Sequence, residues 1–199
     1  NRFSNLLKIN LSNVKNLDLA WKYKFDEINR DIQANPVIAE GKIFMPTTGN
    51  KMISIDAYNG EKIWEYTVNA TPARRGLVFW SNNNKSRIYF CAEKKLISLN
   101  AKNGQLVKSF GKNGIVKLRK RCKISPVIID NLLAIATVEP ALEVYNLNSG
   151  KLLWKYYLKK KSGKKRYGGK RFDYSGGNPW GGISADINRG IVFIATGNA

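Results

Sequence analysis

Polar and apolar positions alternate along this chain in short runs bounded by turn residues, the signature of half-buried strands, and no helical period is sustained. Three segments repeat one pattern: Ile53–Tyr66 (ISIDAYNGEKIWEY), Ile97–Phe110 (ISLNAKNGQLVKSF) and Val144–Tyr157. Each reads as an alternating strand, a turn ending in glycine and a second strand. The turn glycines Gly60, Gly104 and Gly150 recur roughly 45 residues apart, a spacing that suits one four-stranded blade. Asn59-Gly60, Asn103-Gly104 and Ser149-Gly150 supply the positive backbone angles that tight hairpins need.

A further strand precedes each hairpin: Lys42–Asn50, Arg87–Lys95, Asn131–Glu139 and Gly190–Asn198. Inner strands are expected around Ala34–Ala39, Gly76–Trp80, Ile124–Ile129 and Gly181–Ala185. The order inner, middle, hairpin, outer strand predicts an all-β fold, a β-propeller of four-stranded antiparallel blades. Blade one is expected at 33–68, blade two at 75–110 and blade three at 123–158, with an insertion at 159–175 and the first half of blade four at 176–199. Residues 13–25 read as the outer strand of a closing blade, and Trp64 and Trp154 are expected to pack between neighbouring blades. About three and a half blades do not close a ring, so the chain reads as part of a larger propeller or assembly.

Composition narrows the chemistry. The sequence has no histidine and only two cysteines, Cys91 and Cys122, which excludes histidine triads, histidine metal sites and a four-thiolate zinc cluster. The cysteines read as buried thiols, with a single disulfide as the alternative. Lys+Arg 34 against Asp+Glu 14 gives a net charge of +20, which favours acidic partners. No apolar run is long enough to span a bilayer as a helix. Eight of the 13 residues of Lys159–Arg171 are Lys or Arg. This run reads as a solvated loop or as a docking element for an acidic electron acceptor or anionic lipid heads. With Tyr167 as its one aromatic residue it lacks a base-stacking platform, so nucleic acid is not expected as a partner.

Tyr174–Ala199 looks like a site. Gly176, Gly177, Gly181 and Gly182 remove side chains on both sides of Trp180, so backbone and indole can approach a flat ligand. The other reading is a glycine-rich loop closing on a buried aromatic residue. NVKNLDLAWKY, IQANPVIAEGKIFMPT, the Asp56-Ala57…Gly60…Trp64 hairpin, RRGLVFW, SFGKNGIV, YSGGNPWGG and RGIVFIATGN together run nearly end to end. In these pieces the chain resembles the N-terminal part of the eight-bladed quinoprotein dehydrogenases that use pyrroloquinoline quinone (PQQ) and calcium, in their glucose and polyol branch.

That resemblance implies roles residue by residue. Arg75 matches an arginine that pairs with a cofactor carboxylate, a task suited to a planar guanidinium. Trp180 matches the floor beneath the quinone ring. Asn178 and Gln33 fall at cofactor-facing positions. Asn198 matches an amide-oxygen ligand of calcium, and Glu139 is the nearest carboxylate to the expected calcium-binding glutamate, with a solvated turn residue as its other reading. Asn69-Ala70 stands where the alcohol dehydrogenases carry a vicinal cysteine pair over the quinone. The family's catalytic aspartate corresponds to a position beyond Ala199, so the chain is expected to supply cradle and no base. The resemblance further implies an alcohol, sugar or polyol substrate, electron transfer to a cytochrome c or ubiquinone, and a periplasmic location. The rival reading is a non-catalytic propeller scaffold of the outer-membrane assembly type. A third is a nucleic-acid-binding propeller.

Overall fold

The computed structural model of the chain describes residues 7–25, 32–47, 49–138, 140–158, 166–167, 170–171 and 179–197. Glu139, Asn178 and Asn198 lie outside the described residues, as does most of the basic run. Strands β1 (Val37–Ala39), β2 (Lys42–Pro46), β3 (Lys51–Asp56) and β4 (Lys62–Thr67) form one antiparallel sheet in chain order. A second contains β5 (Pro72–Asn82), β6 (Lys85–Ala92), β7 (Lys95–Asn100) and β8 (Ile115–Lys117). The third contains β9 (Val127–Ile129), β10 (Leu132–Thr137), β11 (Ala141–Asn146) and β12 (Leu152–Tyr157). A ribbon, β13 (Arg166–Tyr167) with β14 (Lys170–Arg171), lies within the basic run. β15 (Ile183–Asp186) pairs with β16 (Ile191–Ile194). The fold is all-β, a partial propeller. Its one helical turn among the described residues is a 3-10 turn at Val14–Asn16.

The sheets stack face to face, and the core lies between them. Successive strand residues point to opposite faces, so β6 serves two interfaces at once. Ile88 and Phe90 pack with Phe44, Met52 and Trp64 of the first sheet. Tyr89 and Cys91 pack with Leu133, Ile135 and Tyr145 of the third. Ala134, Leu142 and Val144 continue the stack toward Ile183, Val192 and Ile194. The Tyr89 hydroxyl donates to the carbonyl of Leu147, 3.0 Å away, which satisfies the buried phenol across an interface.

Outer turns join the sheets by one device. In each hairpin an Asx side chain accepts a backbone N–H two residues on: Tyr58 to Asp56 at 2.8 Å, Lys102 to Asn100 at 2.8 Å and Asn148 to Asn146 at 3.1 Å. Gly60, Gly104 and Gly150 follow with φ of +77°, +71° and +69°. At Gly60 and Gly104 the ring of a preceding tryptophan lies against the bare glycine. The indole N–H of Trp64 donates to Ala101 O at 2.9 Å, and that of Trp21 to Ala57 O at 3.2 Å. A Cβ on Gly104 would lie 2.6 Å from the Trp64 ring, and one on Gly60 2.6 Å from that of Trp21.

Three details differ from the sequence reading. The second hairpin has no full outer strand after Gly104: only Leu106 bridges to Leu99, and β8 takes the outer place opposite Lys95–Ile97. The cause is Phe110, fully buried in a T-shaped contact 5.4 Å from Tyr89, which draws the chain out of the ladder before it returns. Phe110 and Val116 then take the tryptophan's place against Gly150. Residues 13–25, read as the outer strand of a closing blade with no partners ahead of it, pair with no strand among the described residues, and Trp21 docks on Gly60. Trp154 is 46% exposed rather than packed between blades, because among the described residues no turn beyond it is placed to receive its ring. Finally, Cys91 and Cys122 form a disulfide and not two thiols; their Cα atoms stand 5.6 Å apart, across the second and third sheets.

The docking geometry gives a paired test. Gly104→Ala is expected to destabilise the fold by about 1–3 kcal/mol more than Gly41→Ala, since overpacking carries that cost. Both glycines have similar φ (+71° and +68°), but nothing lies within 4 Å of a Cβ on Gly41. Urea-denaturation midpoints measure the difference, and equal losses would remove the indole contact as the cause. The disulfide closes a sequence separation of 31 residues. Cys91→Ala/Cys122→Ala is therefore expected to lose about 2–4 kcal/mol in the same assay under oxidising conditions.

Candidate functional site

The inner ends of the sheets bound a cleft of about 320 Å³. Its walls come from four successive inner segments: Gln33 ahead of β1, Arg74 and Arg75 in β5, Cys122 and Lys123 ahead of β9, and Trp180 ahead of β15. Local structure explains why these residues face the cleft. In β5 the ladder pairs Pro72 with Ala92 and next pairs Leu77 with Phe90, so Ala73–Gly76 bulge out of register. The bulge releases Arg74 and Arg75 from the sheet, and both are exposed. Gly76 closes it at φ +117°, a conformation that disfavours any side chain.

Lys123 is placed by alternation. Cys122 and Ile124 are buried on either side of it, at 1% and 3% exposure, so the extended backbone turns Lys123 outward. The Cys91 disulfide, a hydrogen bond from Cys122 N to Glu93 O at 3.0 Å and a bridge from Cys122 to Thr137 pin that backbone. Trp180 follows buried Pro179 and is 37% exposed. The Arg75 guanidinium donates through Nη1 to the Trp180 carbonyl, tying β5 to the segment before β15. Lys123 Nζ sits 5.2 Å from the Trp180 ring centroid, a cation–π contact.

Cations dominate the cleft. Arg74, Arg75 and Lys123 face it, while the one carboxylate lining it among the described residues, Glu93, is engaged by Arg121 at 2.8 Å. A flat aromatic surface with surrounding cations and an amide fits a planar, anionic ligand. Gln33, Arg75 and Trp180, three of the residues singled out in the sequence, thus line one cleft. For the others only their neighbours are placed. Thr137 and Val138, which precede Glu139, line a small pocket with Trp180. Ala195, three residues before Asn198, approaches Gly181: a Cβ there would lie 3.6 Å from that of Ala195. Among the described residues no group of three or more Cys, Asp or Glu residues is arranged to hold a metal ion.

Sequence reasoning missed Lys123. It placed candidates ahead of the first, second and fourth inner strands and none ahead of the third. The repeat itself carried the signal, because the position before Ile124 is the third blade's counterpart of the segments holding Gln33 and Arg75.

Comparison with known proteins bears on the family and the fold. The quinohemoprotein alcohol dehydrogenase ADH IIB of Pseudomonas putida is 25% identical over 99% of this chain and 32% of its own length. The crystal structure of quinohemoprotein alcohol dehydrogenase from Comamonas testosteroni superposes with a TM-score of 0.74 at 21% identity, covering 99% of this chain and 34% of that one. The BamB structure from Moraxella catarrhalis has a TM-score of 0.54 at 14% identity, covering 88% of this chain and 55% of that one. The chain spans about a third of the length of the curated dehydrogenases it matches. Because the family described as PQQ glucose/ethanol/alcohol dehydrogenase, β-propeller domain, matches residues 1–199 in full, the chain belongs to it.

Proposed function

We propose that this chain forms part of the cofactor cradle of an eight-bladed quinoprotein dehydrogenase that oxidises an alcohol, sugar or polyol hydroxyl. PQQ and calcium are its cofactors in this reading, and the electrons pass to a cytochrome c or to ubiquinone. The observation that carries the reading is the cleft in which Arg75 and Trp180 meet across a sequence separation of 105 residues. A propeller repeat alone does not require an exposed indole there.

In this cradle the Trp180 indole stacks against one face of a flat ring and keeps water from it. Arg75 uses one N–H on the Trp180 carbonyl, and the guanidinium fork has further donors for a carboxylate. Gln33 contributes an amide that can donate or accept. Asn198 and Glu139 are the proposed oxygen ligands for calcium, a hard cation. Bound PQQ supplies the two-electron acceptor for the hydride of the substrate carbon. The substrate hydroxyl proton goes to a carboxylate that we place outside this chain. The net charge of +20, with eight Lys or Arg in Lys159–Arg171, suits an acidic electron acceptor or an anionic lipid surface. The Cys91–Cys122 disulfide supports an oxidising compartment such as the periplasm. The scaffold alternative rests on the BamB-like fold and assigns the cleft no ligand.

In the protein carrying this chain, Trp180→Ala is expected to weaken PQQ binding by about tenfold or more, the loss of one stacked ring, as read by equilibrium dialysis with calcium present. Asn198→Ala is expected to raise the calcium concentration needed for half-maximal reconstitution. Protein that takes up no PQQ at saturating calcium would transfer the assignment to the scaffold.

A further inference from the structure

We infer that Lys123 is an anion-reading residue of the cleft, whose ammonium pairs with a carboxylate of the planar ligand stacked on Trp180. The inference rests on the quinoprotein reading and adds a contact that the motifs did not point to. Three observations carry it. Lys123 Nζ already lies 5.2 Å from the Trp180 ring centroid, on the surface where a flat ligand is expected. Arg75 is held against the Trp180 carbonyl, so Lys123 and Arg75 both contact this one residue. The Lys123 backbone is anchored between two buried neighbours, one of them cross-linked to Cys91, so the long side chain starts from a fixed point.

A cation–π contact is weaker than a charge-assisted hydrogen bond to a carboxylate. An arriving planar polyanion therefore offers the ammonium a better partner than the indole. The side chain has four rotatable methylenes with which to swing from the ring face to the ligand's edge. Glu93 does not compete for it, being engaged by Arg121 at 2.8 Å. In this arrangement the lysine shields the indole before the ligand binds and holds the ligand's charge afterwards.

The test is direct binding of PQQ to the protein carrying this chain, with calcium and without substrate, followed by quenching of tryptophan fluorescence across a salt series. Lys123→Met keeps an unbranched side chain of similar reach, one atom shorter, and removes its charge. It is expected to raise Kd by about tenfold or more, the scale of a charge-assisted hydrogen bond, and to flatten the salt dependence. Lys123→Arg is expected to restore both. Lys123→Gln, a second neutral variant, should follow Lys123→Met. If Lys123→Met binds like wild type while Trp180→Ala binds weakly, the inference is overturned and the quinoprotein reading stands. Equal losses in Lys123→Met and Lys123→Arg would also overturn it, since charge would not be the cause. Wild-type protein that binds no PQQ overturns both.

Discussion

Burial of both faces of a strand is the constraint on which this structure depends. A sheet covered on one side only leaves half its residues in water, whereas β6 places Ile88 and Phe90 against one neighbour and Tyr89 and Cys91 against the other. Full burial of one such side chain contributes about 1.5–3 kcal/mol, so stacking successive sheets is what makes short strands stable here. The same constraint explains the glycines of the outer turns. At these turns the sheets approach closely because an apolar side chain can lie directly on bare backbone, as Trp64 does on Gly104 and Phe110 with Val116 on Gly150.

Stacking buries only some residues of the inner segments, among them Ala73, Cys122 and Ile124, and leaves others exposed. Their residues line a common cleft because each sheet turns its inner edge the same way. Two departures from regular pairing then set the chemistry. The bulge at Ala73–Gly76 spends ladder hydrogen bonds to expose two arginines, and the Cys91–Cys122 link fixes the segment that presents Lys123. The outcome is a cationic wall around an indole, its charge carried by Arg74 and Arg75 of β5 and by Lys123 ahead of β9, which are far apart in sequence.

The fold was legible wherever the controlling physics is local. Asx side chains and positive-φ glycines dictate a turn from within a few residues, so the hairpins at Gly60, Gly104 and Gly150 follow from the sequence alone. The outer strand of the second blade was not legible. Its Leu106–Phe110 segment has a strand pattern, but Tyr89 offers Phe110 a buried ring contact that outweighs the ladder. Trp154 misled for the opposite reason: its residue type asks for a docking partner, and among the described residues none is placed to receive it.

For the site the division is similar. The sequence by itself determined the all-β repeat, the family resemblance, and the choice of Gln33, Arg75 and Trp180, because alternation, turn chemistry and motif composition are properties of neighbouring residues. Only the tertiary structure decided that Cys91 and Cys122 join, that Arg75 reaches the Trp180 carbonyl and that Lys123 stands over the indole. Each of those contacts depends on how three or four sheets stack about one cleft, and spacing along a chain carries no measure of distance across an interface.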